Sequence, residues 1–197
     1  MGDMRSIDGR TARRERNRED VVEAALSLID EGEPDPSIDQ LTKRSGLSAR
    51  SIFRYFEGLD DLRRAVIRRH FERVGPYTDL PGAGSGPFEE RVRRYVDARI
   101  KVNEAIAGPA RTARARAPYA PVLADDIAEY RQMLDAQIRK YFAPELAKRP
   151  KAEVDDLVAL IVVVVSFDGW ELLTRDHHKS RSQIRRAWMH ALNNLLS

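Results

Sequence analysis

The sequence predicts an all-α protein with a small N-terminal helical unit followed by a larger helical body. Apolar residues recur at intervals of three and four along most of the 197-residue chain, the spacing that places them on one face of a helix. No segment shows the strict alternation of apolar and polar residues that is typical of a half-buried strand. Residues 75–87 contain four glycines and three prolines, which interrupt helices, so we predict domains at 1–75 and 76–197.

The first predicted helix covers residues 13–31 and ends before the prolines that follow it, because proline cannot continue a helix. Its N-terminal part is strongly basic, since Arg10–Arg18 contains five arginines and one glutamate. A cationic cluster of this kind suits contact with phosphate groups. For Met1–Gly9 the alternative is a solvated, disordered tail.

Residues 37–56 predict two short helices joined by a tight turn. Ser37 is placed to cap the first helix, and Gln40 three residues later completes a capping box. Gly46 lies where the chain must turn sharply, a position that favours a residue able to adopt positive φ. Ser48 can cap the second helix, which is expected to continue to the end of the segment.

The outer face of these two helices is positively charged. Residues 40–56 contain four basic side chains and no acidic one, and a helix-turn-helix with a cationic outer face fits the major groove of DNA. Arg50 is the candidate for reading a guanine edge; the alternative is that Arg50 and Arg54 only solvate the helix. The candidate DNA-contacting residues are Arg14, Ser37, Lys43, Arg44, Ser48, Ala49, Arg50, Ser51, Arg54 and Tyr55.

This segment resembles the DNA-binding core of the TetR family of transcriptional regulators in the order and spacing of its residues. The chain departs from the family at three positions, Arg50, Phe53 and Leu59, where members often have a small residue, a tyrosine and a lysine. The residues that carry the resemblance are Ser37-Ile38, Leu41-Thr42, Ser45-Gly46-Leu47-Ser48, Ile52-Phe53 and Tyr55-Phe56.

The resemblance implies a ligand-responsive homodimeric regulator, most often a repressor, that leaves a palindromic double-stranded DNA operator when a small molecule binds its body. In such proteins a helix that corresponds to residues 60–74 of this chain links the DNA-reading head to the body. An alternative is a TetR-like DNA-binding protein whose body recognises a protein partner instead of a small molecule.

The body is predicted to contain four helices. The third of them is apolar on nearly every side from Leu157 to Phe167 and must therefore be buried all round. We expect residues 153–175 and 182–196 to form half of a four-helix homodimer interface; the alternative is a core within one chain. The predicted helices are 88–107, which Gly108-Pro109 is expected to end, 121–141, 153–175 and 182–196.

A small-molecule site is predicted within the body, because Arg99 and Asn103 interrupt an apolar stripe on helix 88–107 and ligand pockets are mostly apolar with a few polar groups. A buried Arg99 would favour an anionic ligand group. The alternative is a structural ion pair between Arg99 and Asp168 or Glu171. The candidate ligand-contacting residues are Tyr95, Arg99, Asn103, Tyr130, Phe167, Asp168 and Trp170.

Several function classes are disfavoured by what the sequence lacks. The absence of cysteine excludes disulfides and cysteine metal sites. The longest apolar run, Leu157–Val165, is far shorter than the roughly 20 residues of a membrane span, and no signal peptide is recognisable, so we expect a cytoplasmic protein that does not bind membranes.

We expect no enzyme activity and no cofactor, since no catalytic or cofactor motif is present. A metal site at His177 and His178 is the weakest alternative, because adjacent helical side chains diverge.

Overall fold

The computed structural model describes residues 4–33, 35–78, 80 and 82–197. Within these ranges it contains eleven α-helices and no β-strand, so the predicted all-α class is confirmed. The chain divides into two compact units: unit 1 comprises Met1–Arg73 and Gly108–Ala124, and unit 2 comprises Val74–Ala107 and Asp125–Ser197. The first boundary lies close to the predicted one at residue 75. Residues 108–124, which the sequence analysis assigned to the second domain, group with unit 1.

Unit 1 is a small helical cluster around an apolar core. Residues from the first helix (Val21 and Leu26), the second (Leu41) and the segment after it (Ile52 and Phe56) are all buried there. Burial of these side chains is the main free-energy gain that holds the short helices together. The helices of unit 1 are α1 (Met4–Asp30), α2 (Ile38–Ser45), α3 (Ala49–Ile52), most of α4 (Leu59–Thr78) and most of α6 (Ala107–Arg116).

The caps of α2 and α3 form as the sequence predicts. The Ser37 hydroxyl accepts a hydrogen bond from the Gln40 amide, and the Gln40 side chain accepts one from the Ser37 amide at 2.7 Å. Gly46 has φ 71° and ends α2, with its amide bonded to the Thr42 carbonyl. Ser48 caps α3 by accepting from the Ser51 amide at 3.2 Å. These local bonds fix the sharp turn between the two helices.

Three predicted helix limits in or beside unit 1 were wrong. Helix α1 begins at Met4, earlier than residue 13. Helix α3 ends at Ile52, after which the chain continues in tighter turns with a Tyr55 amide to Ile52 carbonyl bond of 2.9 Å; such tightening is common at helix ends. The break after helix α5 (Phe88–Ala105) falls at Ile106, and Gly108 and Pro109 lie in the first turn of α6, where proline is tolerated because first-turn amides need no helical partner.

Unit 2 contains the long helices α5 (Phe88–Ala105) and most of α7 (Pro121–Tyr141), and the helices that follow them in the chain. Helix α11 (Arg181–Leu196) packs beside α5, and the Arg185 guanidinium donates to the Asp97 carboxylate at 2.6 Å. A capping box of Ser180 and Gln183 begins α11. The helices of unit 2 are α5 (Phe88–Ala105), α7 (Pro121–Tyr141, whose first four residues belong to unit 1), α8 (Ala143–Leu146), α9 (Lys151–Val165), α10 (Phe167–Glu171) and α11 (Arg181–Leu196).

The predicted single helix 153–175 was wrong, because the chain breaks at Ser166. This residue has extended backbone angles (φ −64°, ψ 168°), and its hydroxyl accepts from the Gly169 amide, capping α10. A Cβ at Gly169 would lie 2.5 Å from the Val163 carbonyl oxygen, so the close approach of α10 to α9 requires glycine. A π-helical turn, Leu172–Asp176, follows α10.

No single described helix is long and apolar enough to cross a membrane. Helix α9 and the segment Phe167–Asp176 meet that length and composition only when taken together, and they are bent by 43° relative to each other.

Candidate nucleic-acid interface and ligand cleft

Helix α1 and the turn after α3 meet at a basic surface cleft. The Arg14 guanidinium donates to the Arg54 backbone carbonyl oxygen at 3.5 Å, and the side-chain amide of Asn17 donates to the Tyr55 hydroxyl at 2.8 Å. Arg13 also lines this cleft. The two hydrogen bonds fix the position of the turn against α1, so that the basic part of α1 and the helix-turn-helix form one surface.

Five basic side chains of this region remain without a balancing carboxylate among the described residues. They are exposed, and none forms an ion pair there. Other unit 1 arginines are paired: Arg63 and Arg116 contact Asp35, and Arg69 contacts Glu23. Because exposed and unbalanced cations raise the local positive potential, this surface is suited to phosphate contact. We call these five residues the basic face: Arg13, Arg14, Lys43, Arg50 and Arg54.

The side chain of Arg44, a predicted DNA contact, is turned to an ion pair. Its guanidinium donates to both Glu31 carboxylate oxygens, at 2.7 and 2.5 Å, and to the Ser27 hydroxyl at 2.6 Å. The hydrogen bond from Arg44 lowers the pKa of Glu31. The charge of Arg44 is therefore already balanced, unlike that of its neighbour Lys43.

The remaining predicted contacts lie around the start of the two short helices. Ser37 and Ser48 are exposed, and their hydroxyl oxygens accept backbone amides as helix caps. The Ser48 and Ser51 hydroxyls lie 3.0 Å apart. Arg50 is exposed on the first turn of α3, next to the partly buried Ala49. A long cationic side chain beside two small residues can reach into a groove without obstruction.

In unit 2, Arg99 lies in a buried polar network. The residue is 2% exposed. Its guanidinium donates to the Tyr130 hydroxyl at 2.6 Å and to the side-chain Oδ1 of Asn103 at 3.4 Å. Asn103 is itself fully buried and donates to the Val165 carbonyl oxygen at 3.2 Å. Three of the predicted ligand residues are thus brought together, and they are anchored to the end of α9.

The alternative of an ion pair between Arg99 and Asp168 or Glu171 was wrong. Asp168 pairs with Arg131 at 2.9 Å, and Glu171 pairs with Arg175 at 3.6 Å. No described carboxylate forms an ion pair with Arg99.

Three of the other predicted ligand residues, Tyr95, Phe167 and Trp170, lie in two aromatic clusters. Phe167 and Trp170 pack against each other with ring centroids 5.5 Å apart. Tyr95 packs with Tyr141 and Phe142 at centroid distances of 5.2 and 5.1 Å. Burial raises the pKa of both Tyr95 and Tyr141, and neither buried hydroxyl has a hydrogen-bond partner among the described residues.

Next to Arg99, a cleft of about 420 Å³ opens in unit 2. Of the predicted ligand residues, Arg99 and Tyr130 line it. The other five do not: Tyr95, Asn103, Phe167, Asp168 and Trp170. Most of the lining residues that the sequence did not predict lie on α7. Several of them follow Tyr130 at intervals of three and four, the spacing that places residues on one face of a helix. That spacing could have identified them. The lining residues are Leu80, Ala83, Arg99, Tyr130, Met133, Leu134, Ala136, Gln137, Lys140 and Tyr141.

His177 and His178 lie after the π-helical turn and not on a helix. Across the ranges that the structure describes, no group of three or more histidine, aspartate or glutamate side chains is arranged to hold a metal ion.

Comparison with known proteins identifies the fold. No protein-family model matches the sequence, and no curated protein matches it. A crystal structure of a TetR-family transcriptional regulator from Streptomyces coelicolor superposes with a TM-score of 0.70 at 20% sequence identity, over 92% of this chain and 80% of that chain. The chain therefore has the fold of a TetR-family transcriptional regulator.

Proposed function

We propose that this protein is a transcriptional regulator that binds a specific double-stranded DNA operator through unit 1. The observation that carries the proposal is the basic face, which is formed by the basic part of α1 together with a helix-turn-helix that has intact caps at Ser37 and Ser48. Lys43, Arg50 and Arg54 are exposed and without ion-pair partners among the described residues. Cations of this kind release counterions from DNA, which supplies much of the binding free energy.

Base reading is assigned to Arg50 and backbone contact to its neighbours. A guanidinium can bond the O6 and N7 atoms of guanine together, which gives about 1–3 kcal/mol of discrimination. Ala49 and Ser51 are small enough to let α3 approach the bases. The Tyr55 hydroxyl accepts from Asn17 and so keeps its own proton for a phosphate oxygen.

Homodimerisation through residues 153–175 and 182–196 is proposed from an exposed apolar surface. Leu160 and Val163 on α9 are 54% and 66% exposed, although the predicted helix was expected to be buried on every side. Exposed apolar residues at a spacing of three form a stripe that a second copy can cover. A two-fold dimer presents two reading heads to a palindromic site, with half-sites about 34–36 Å apart or a multiple of that distance.

A small molecule bound in the cleft beside Arg99 is proposed to release the DNA, which would make the protein a repressor. A volume of about 420 Å³ lies within the range of about 300–1,000 Å³ that is typical of ligand pockets. The existence of the cleft favours a small ligand over a protein partner. For release, the ligand must bind the DNA-free state more tightly than the DNA-bound state.

The proposal is tested by selection of genomic fragments with purified protein at near-physiological salt, read by sequencing. We expect one palindromic site to be enriched by the native protein and by Arg93→Ala, a change at an exposed arginine of α5 that pairs with Glu90. Arg50→Ala should lose this enrichment. Salt-sensitive binding without any enriched sequence would contradict the proposal.

A further inference from the structure

The cleft of unit 2 borders a buried positive charge that no described carboxylate balances. Arg99 is 2% exposed and has no ion-pair partner among the described residues. Arg91 lies on the same helix and is also buried, but it pairs with Glu145. Because burying an unpaired guanidinium is costly, the contrast indicates that an anion from outside the described residues balances the charge of Arg99.

A second hydrogen-bond donor belongs to a residue in the lining of the same cleft. Tyr141 lines the cleft, and its hydroxyl has no hydrogen-bond partner among the described residues although the atom is buried. A tyrosine hydroxyl has an ordinary pKa of about 10, and burial raises the pKa of Tyr141 further, so this group is protonated at neutral pH and can donate a hydrogen bond. Buried polar groups normally have hydrogen-bond partners, so an acceptor in the cleft would provide a partner for both Arg99 and Tyr141.

The rest of the cleft is mainly apolar and carries a second positive charge. Lys140 is exposed and lines the cleft. No described lining residue is acidic. Such a site discriminates against cations and accommodates a hydrocarbon surface. The apolar lining consists of Leu80, Ala83, Met133, Leu134 and Ala136.

We propose that the cleft binds an organic anion with an apolar body, whose anionic group accepts hydrogen bonds from Arg99 and Tyr141. Carboxylate and sulfonate groups share the required chemistry, because each presents two or more oxygens to a planar guanidinium. The inference deepens the proposed function, and it rests on that proposal for the role of the anion as effector. Binding of the anion is measured without DNA, so its result can be interpreted even if the operator selection fails.

The test uses two fluorescent dyes that differ by one charge. The anionic dye is 8-anilinonaphthalene-1-sulfonate, and N-phenyl-1-naphthylamine is its counterpart without the sulfonate. We expect the native protein to bind the anionic dye at least about tenfold more tightly, as a charged hydrogen-bonded pair implies. Arg99→Gln should remove this preference while leaving the affinity for the neutral dye unchanged. Arg93→Gln, the surface control, should bind both dyes as the native protein does.

Two further variants keep the test informative if Arg99→Gln fails to fold. Arg99→Lys keeps the charge and should retain part of the preference, and Tyr141→Phe should weaken only the anionic dye. Near-ultraviolet circular dichroism of each variant shows whether it keeps native packing, since the anionic dye also binds loosely packed states. The proposal is overturned if the native protein binds the two dyes equally or binds neither. It is also overturned if the folded Arg99 and Tyr141 variants retain the full preference.

Discussion

The Arg116 guanidinium donates a hydrogen bond to the Asp35 carboxylate at 2.8 Å, and this bond joins α6 to the loop that precedes α2. Arg63 of α4 donates to the same carboxylate at 2.8 and 3.0 Å. Asp35 thus connects three segments of unit 1, including residues from the stretch 108–124 that the sequence analysis assigned to the body.

We predict that Asp35→Asn lowers the stability of the protein at neutral pH. Partial burial raises the pKa of Asp35, but hydrogen bonds from Arg63 and Arg116 outweigh it, so the pKa lies below its ordinary value. A lowered folded-state pKa contributes stability that is present above about pH 4 and is lost as the pH falls through the folded-state pKa. Because solvent screens a half-exposed carboxylate, we expect a loss of about 1 kcal/mol at pH 7.

Urea unfolding of the native protein and of Asp35→Asn across a pH series measures this effect. Asp125→Asn is the control, since Asp125 is exposed. The difference between native and Asp35→Asn should shrink as the medium is acidified. A difference that is constant with pH would show that the carboxylate charge makes no contribution.

Lys43 and Arg44 are adjacent, and their substitution should affect DNA binding differently. Lys43 is exposed and has no ion-pair partner among the described residues, whereas Arg44 is held by Glu31. Lys43→Ala should lower the slope of log affinity against log salt concentration by about 1, as loss of one phosphate contact predicts. Arg44→Ala should leave the slope unchanged. Fluorescence anisotropy on a fixed duplex measures both slopes; equal decreases would place Arg44 on the DNA as well.

Gly169 and Gly58 should respond differently to replacement by alanine. A Cβ at Gly169 would lie 2.5 Å from the Val163 carbonyl oxygen, whereas a Cβ at Gly58 would meet nothing within 4 Å. Gly169→Ala should therefore destabilise the protein by about 1–3 kcal/mol through overpacking, and Gly58→Ala should have little effect. Thermal unfolding of both variants decides this, and a stable Gly169→Ala protein would show that the bend between α9 and α10 adapts.

Replacement of the two buried arginines of α5 should affect the stability of the protein differently. Arg91→Met leaves the Glu145 carboxylate buried and unpaired, which costs about 3–5 kcal/mol. Arg99→Met removes a charge that has no described counterion, so we expect the free energy of unfolding to stay constant or to increase. Denaturant unfolding without ligand measures both. A severe loss on Arg99→Met would mean that its bonds to Tyr130 and Asn103 are structural.

Interactions between residues that are close in the sequence made the helix-turn-helix of unit 1 predictable. The Ser37–Gln40 capping box, the left-handed Gly46 and the Ser48 cap each depend on residues within a few positions of one another, and all three are present. The cationic surface followed from the absence of acidic residues between 40 and 56. Pairing across the fold was not predictable: Glu31 lies thirteen positions from Arg44, and only the packing of α1 against α2 brings them together.

The body was less predictable because its features depend on tertiary packing. No proline marks the break at Ser166, which lies within a strongly apolar run that favours a continuous helix by composition. Arg99 and Asn103 were recognisable as polar residues on an apolar stripe, and they do form a network with Tyr130. The apolar stripe on α5 does not by itself indicate which face of α7 completes the cleft.

Base reading by Arg50 is tested most directly by a competition measurement on the selected operator. The ratio of dissociation constants for a shuffled duplex and for the operator is measured by anisotropy at one salt concentration. We expect Arg50→Ala to lower this ratio by about tenfold or more, since a bidentate guanine contact contributes about 1–3 kcal/mol, while Lys43→Ala weakens binding to both duplexes alike. An unchanged ratio in Arg50→Ala would contradict the assignment of the basic face as a sequence-reading surface.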